Sequence, residues 1–177
     1  MSSFDRASAK SRSLPALVVL LAATLLAAGC TIQPVYGPAP NGRAAGPALA
    51  SIAIDPVNDR VAQVVRNKLI SGFGSDGGAS PVYRMHLTVS STATALGIGA
   101  AGSSPTNQVA VQVTYLLTRI GSDEVVLKSA SRATASYDVL NQGFANVRAK
   151  IDAENRAGET AADQIRIRVA AALAARA

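Results

Sequence analysis

Two periodicities divide this chain. Tyr83, Met85, Leu87 and Val89 alternate with Arg84, His86, Thr88 and Ser90. Val109, Val111, Val113, Tyr115 and Leu117 alternate in the same way with Gln108, Ala110, Gln112, Thr114 and Leu116. A period of two places successive side chains on opposite faces, so both stretches predict half-buried strands. Between Glu124 and Asp138 a third strand carries Val125, Leu127, Ser129, Ser131, Ala133, Ala135 and Tyr137 on one face, with Lys128, Arg132 and Thr134 on the other. A short first strand, Ile52 and Ile54 around Ala53, stops at Pro56.

The middle of that third strand is made of small residues, and this predicts its pairing. If Ile120–Glu124 is a hairpin loop, Leu117 opposes Leu127, Tyr115 opposes Ser129, and Val113, Val111 and Val109 oppose Ser131, Ala133 and Ala135. Large residues beside small ones fill a layer without voids. A slip of one residue would turn the valines outward, which pins the register. The opposite sheet face then holds Arg84, His86, Gln108, Gln112, Thr114, Lys128 and Arg132, interrupted by Ala110, Leu116 and Val126.

Elsewhere apolar residues recur at helical steps. Val61, Val64, Val65, Leu69 and Phe73 form one stripe, Asn58 or Asp59 can cap its start, and Gly72 and Gly74 end it. A last helix spans about Asn141 to Ala175. It carries Phe144, Val147 and Ile151 as one apolar patch and Ile165, Val169 and Leu173 as another, with Gly158, Ala161 and Ala162 between them. Those small residues suit either close backbone packing or a weak point.

The N-terminus follows neither period. Arg6, Lys10 and Arg12 precede an uncharged run from Leu14 to Ala28 that ends in Leu26-Ala27-Ala28-Gly29-Cys30. Charged, then apolar, then small is the order of a secretory signal, and the run is shorter than the roughly 18–20 residues of a spanning helix. Cys30 is the only cysteine of 177 residues and resembles a lipobox cysteine, to be linked to diacylglycerol and N-acylated. Ala27 stands three places before it where leucine is commoner. Two or more acyl chains make a stable anchor. Thr31 in place of aspartate points to the outer membrane. Residues 1–29 are therefore expected to be a signal peptide, 30–50 a Pro/Gly-rich tether, and 51–177 one folded domain.

The whole chain carries a net charge of +6. Losing Arg6, Lys10, Arg12 and Asp5 with the signal leaves +4, which favours anionic headgroups over acidic surfaces. Export makes nucleic acid an improbable partner.

Candidate chemistry is sparse. Gly97-Ile98-Gly99-Ala100-Ala101-Gly102 matches a phosphate-cradling GxGxxG, but Ser-Ser-Pro and a strand follow it, not the helix whose dipole the motif needs. His86 is the sole histidine, with no cysteine or paired carboxylate spaced to share a metal. No Gly-x-Ser-x-Gly turn nominates a nucleophile. The reading is a non-enzyme without cofactor or metal. The candidate ligand-binding residues are basic: Arg84, Lys128 and Arg132 on the exposed strand face, and Arg148 and Lys150 early in the last helix, placed to make charge-assisted bonds to glycolipid phosphate.

The order of elements, together with R-N-x-L-I in NDRVAQVVRNKLI, S-Y-D-V-L-N-Q-x-F at Ser136–Phe144, and A-A-D-Q-I-x-x-R at Ala161–Arg168, resembles the LptE family of lipopolysaccharide-assembly lipoproteins, particularly its alphaproteobacterial members. That resemblance covers almost the whole mature chain. It implies an α/β sandwich of two helices on a four-stranded mixed sheet, in the order β-α-β-β-β-α. It also implies a plug inside the outer-membrane barrel LptD, where the pair inserts lipopolysaccharide into the outer leaflet and the lipoprotein assists barrel assembly. The neutral hairpin loop from about Leu96 to Pro105 would protrude into that lumen. A second reading is an auxiliary lipoprotein of an ABC-type lipid transport system, and a third is a cell-envelope hydrolase, for which no acid or base is in place.

Overall fold

The computed structural model describes residues 45–75, 80–96 and 105–176. In chain order these form α1 (Ala45–Ala50), β1 (Ile52–Ile54), α2 (Arg60–Phe73), β2 (Tyr83–Ala95), β3 (Thr106–Arg119), β4 (Val125–Asp138) and α3 (Gly143–Ala174). The strands make one mixed sheet in the order β1-β2-β3-β4, with β1 parallel to β2 and the other pairs antiparallel. A parallel neighbour needs a crossover connection, and α2 supplies it. The α/β class and the four-stranded mixed sheet that the resemblance implies are what the structure has, with α1 as an additional short helix.

The predicted hairpin register is observed at each position: Leu117 pairs with Leu127, Tyr115 with Ser129, Val113 with Ser131, Val111 with Ala133 and Val109 with Ala135. Val109, Val111, Val113 and Leu117 are fully buried. The small residues opposite them leave room for α3, and the buried Ser131 hydroxyl donates to the Gln164 side chain of that helix.

One position departs from the period. Thr118 pairs with Val125 and Leu117 with Leu127, so Val126 is an extra residue at a bulge. Reading strict alternation puts Val125 inside and Val126 on the open face. The bulge reverses this, leaving Val125 51% exposed and Val126 in the core.

Asp59 caps α2, its carboxylate accepting from the N–H groups of Val61 and Ala62 at 2.9 and 3.1 Å. Gly74 ends the helix at φ +68, a left-handed conformation that costs glycine nothing. Val61, Ala62, Val65, Leu69 and Phe73 face the core. Where α2 crosses α3, the partner surface is Ala153, Ala157, Gly158, Ala161 and Ala162, all buried. A methyl group at Gly158 would lie 3.4 Å from Val65 and 3.6 Å from Val64. Small residues here mean close backbone packing, not a weak point.

The folded part also begins earlier than its hydrophobic pattern suggests. Residues 45–50, read from sequence as the end of the tether, form α1, and Leu49 is 2% exposed within the core. A six-residue helix containing Gly46 and Pro47 shows no helical repeat of its own; burial of one leucine places it.

The last helix starts at Gly143, two residues later than expected, and its N-terminal turns are uncovered. Arg60, at the start of α2, bonds Asn155 and Glu154, which marks where the two helices first meet. Phe144 and Val147 lie before that point and are 80% and 55% exposed. The sequence grouped them with Ile151 as an apolar patch; the structure leaves that patch facing outward.

Candidate functional surface

The helices pack on one face of the sheet, and the basic candidates divide between the two sides. Arg84, Lys128 and Arg132 project from the open face and are exposed. Arg148 and Lys150 belong to α3, in the helical layer, so the structure does not gather the five into one site. Through the register, Lys128 lies across Leu116 from His86, and Arg132 lies across Gln112 from Ser90. Strand spacing then separates Arg84 from Lys128 by about 12 Å and Lys128 from Arg132 by about 13 Å. Such a spread presents separate cations to a multiply charged surface and does not chelate one phosphate.

Their environments differ. Arg84 lies 3.9 Å and His86 3.5 Å from the two oxygens of Asp55, so this corner of the face is partly neutralised. Lys150 lies 3.9 Å from Glu154. Of the five candidates, Lys128, Arg132 and Arg148 have no ion-pair partner among the described residues and keep their charge to offer. Contacts of this kind at an exposed surface are weakened by salt. The Asp55 cluster has no signature in the sequence, because it depends on β1 lying parallel beside β2 and carrying the residue after Ile54 up to Met85, whose carbonyl accepts from the Asp55 N–H.

A second feature lies at the end of the sheet where β2 and β3 are joined. Thr106 pairs with Asp138, Leu96 donates to Thr106, and Val139 donates to Pro105, which brings Leu96 and the β4–α3 connection to the same end. Leu96, Leu140, Phe144 and Val147 are all at least half exposed there. The connection is braced: the Asn146 side chain accepts from the N–H of Leu140 and donates to its carbonyl, each at 2.7 Å. Apolar groups held on a braced loop lose little freedom on binding, which favours a docking point. Nothing in the spacing of SYDVLNQGF distinguishes such a tip from a buried helix start. Cys30, the signal and tether up to residue 44, and the loop segment 97–104 that includes the GxGxxG match lie outside the described residues.

Enclosed chemistry is absent among the described residues. No group of His, Cys, Asp and Glu there could hold a metal, and no helix there is long and apolar enough to cross a membrane. The cleft between β4 and α3 is open and mixes Arg156 with Glu159 and Asp163 along its wall.

No family model matches the chain, and no curated protein matches it in sequence. Among solved structures, a lipoprotein candidate from Caulobacter crescentus superposes with a TM-score of 0.62 at 20% identity, over 72% of this chain and 93% of that one. The rare lipoprotein B from Shewanella oneidensis gives 0.48 at 16% identity, over 65% of this chain and 88% of that one. A minor lipoprotein from Acinetobacter baumannii gives 0.46 at 12%, over 68% and 88%. The Caulobacter likeness is one of fold; the two lower scores add nothing to it.

Proposed function

We propose that this chain is an exported lipoprotein, acylated on Cys30, that serves as a non-catalytic subunit of the outer-membrane machinery for lipopolysaccharide assembly, seated in a large β-barrel of the LptD kind. The observation that carries this reading is a fold shared with a lipoprotein candidate over 93% of that chain, in a sequence whose apolar leader ends in LAAGC. The layout of the domain supports it. The chain enters through α1 and β1, beside Tyr83 and Arg119, at the end of the sheet opposite the apolar tip. A tethered domain built this way presents Phe144 and Leu140 away from its attachment, where a barrel wall can receive them. Lys128 and Arg132 on the open face supply weak, salt-sensitive contacts to glycolipid phosphates.

A photo-crosslinking residue at Phe144, or at Ala100 or Ser103 in the hairpin loop, is expected to capture one large outer-membrane protein in living cells. Depletion of the chain lowers the amount of correctly oxidised barrel and sensitises cells to bulky hydrophobic antibiotics. Cys30→Ala abolishes palmitate labelling. Crosslinks confined to periplasmic or inner-membrane proteins, with the barrel unchanged, would replace this reading with an auxiliary subunit of an ABC-type lipid transporter.

A further inference from the structure

The two edges of the sheet are finished differently. At β4, Arg168 donates to the Ala130 carbonyl at 2.6 Å and Arg156 to the Ser136 carbonyl at 3.0 Å, and a bulge disrupts the start of the strand. Seated charges and bulges are usual means by which an edge is kept from pairing. At β2, β1 covers only Tyr83 to Met85, and the last bond on that side runs from the Asp55 N–H to the Met85 carbonyl. Beyond it Leu87, Val89, Ser91, Ala93 and Ala95, of the same parity as Met85, point their N–H and C=O outward, with no backbone partner among the described residues. The stretch from Leu87 to Ala95 has no proline, glycine or charged residue, and its register with β3 is unbroken. The charge beside it belongs to the helices. The Ser91 hydroxyl donates to Glu154 of α3 at 3.3 Å, and that carboxylate is ion-paired with Arg60 of α2 and Lys150 of α3. One carboxylate thus faces two cations, 43% and 49% exposed, and the surface next to Ser91 is net positive. α2 starts only at Arg60, and on the helix side of β2 Ser91, Ala93 and Ala95 are exposed.

We propose that an extended segment of the barrel partner, from a loop folded into its lumen, adds to this edge as a further strand, with an acidic residue opposite Ser91. The proposal rests on the barrel reading and names a contact within it. A row of outward N–H and C=O groups is satisfied along its length only by another extended backbone. The wall of a closed barrel has none to give, because each of its strands is paired on both sides; an inward loop has. The free stretch is about 27 Å long and runs from Asp55 toward the apolar tip, so the added strand and the tip engage one partner side by side. Pairing puts the residue opposite Ser91 on the same face of the sheet, its Cβ about 5 Å from that of Ser91, on the side where Arg60 and Lys150 meet Glu154. A carboxylate there offsets the surplus cation, whereas a lysine or arginine is repelled. Ala93 and Ala95 leave room for large side chains of the added strand, the large-beside-small rule that already joins β3 to β4.

Backbone hydrogen exchange, read residue by residue in the free full-length chain and in its purified complex with the barrel, tests the pairing. The outward amides of Leu87, Val89, Ser91 and Ala93 are expected to exchange about tenfold or more slowly in the complex, while those of Thr88, Ser90 and Thr92, already turned toward β3, change little. A photo-crosslinking residue placed in turn at Ser90, Thr92 and Thr94 captures successive positions, in order, along one peptide of the barrel protein, and that peptide has Asp or Glu opposite Ser91. Ser91→Pro removes an outward N–H and leaves the β3 side intact, so it lowers this capture several-fold, whereas Ser91→Ala keeps it. Exchange in the wild-type chain decides the question even if the proline variant fails to fold. Crosslinking from Phe144 separates the two readings. If Phe144 captures the barrel but the outward amides stay fast, the edge captures positions in no order, or the captured peptide lacks an acid opposite Ser91, strand addition is overturned and the barrel reading stands. If neither Phe144 nor the edge captures a barrel, the barrel reading falls and this proposal falls with it. Capture at the edge of a second copy, or of residues 31–44 of the same chain, also overturns it.

Discussion

The first turns of α3 and the remainder of the same helix are covalently continuous yet behave as different materials. Before Glu154 the large apolar residues Phe144 and Val147 are exposed; after it the buried positions are mostly Ala157, Gly158, Ala161 and Ala162, with Ile165, Val169 and Leu173 toward the end. Hydrophobicity of the side chain does not separate the two stretches. What separates them is cover, since α2 begins at Arg60 and reaches α3 only from about Glu154 onward. Alanines and a glycine in a close crossing contribute to stability, while a phenylalanine without a neighbour contributes a surface.

Five variants break or sharpen this contrast. Ile165→Ala, in the fully buried stretch, is expected to cost about 3 kcal/mol in chemical denaturation, from lost transfer energy and the cavity left behind. Gly158→Leu drives a side chain into Val61, Val64 and Val65 and costs about 2 kcal/mol or more, whereas Gly158→Ala brings only ordinary contacts and gains up to about 1 kcal/mol in helix propensity. A strongly destabilised Gly158→Ala would show that the crossing has no room for a methyl group. Asp59→Ala removes the two capping bonds where α2 begins and lowers stability by about 1 kcal/mol, read as a shift in the denaturation midpoint. Phe144→Ser with Val147→Ser changes stability by less than about 0.5 kcal/mol, yet reduces crosslinking to the barrel partner at the tip. A large stability loss in that double variant would mean that the tip is part of the core.

The two edges of the sheet repeat the lesson with backbone in place of side chains. β4 and β2 have similar lengths and strand-forming composition, but one has helix arginines seated on its carbonyls, while beyond Met85 the other has a row of backbone groups with no backbone partner among the described residues. The helical pattern does not mark Arg156 and Arg168; their bonds to the carbonyls of the β4 edge follow from where α3 lies.

From sequence alone came the strands β2, β3 and β4, the two main helices, a cap at Asn58 or Asp59 and the pairing of β3 with β4; the structure selects Asp59. Each depends on short-range periodicity or on a hairpin short enough that the valines and the small residues opposite them leave one good register. The basic candidates were legible as residue types, and their exposure on β2 and β4 followed from alternation. Tertiary structure alone decided that Leu49 joins the core, that the bulge carries Val126 inward, that Asp55 lies beside Arg84 and His86, and that Phe144 faces outward. All of these depend on how elements meet beyond their own period: a parallel strand past a crossover helix, a bulge in a paired strand, or a helix that begins too late to cover its neighbour's first turns. A local pattern records what a residue is able to bury, and only the assembled layers determine what is there to bury it.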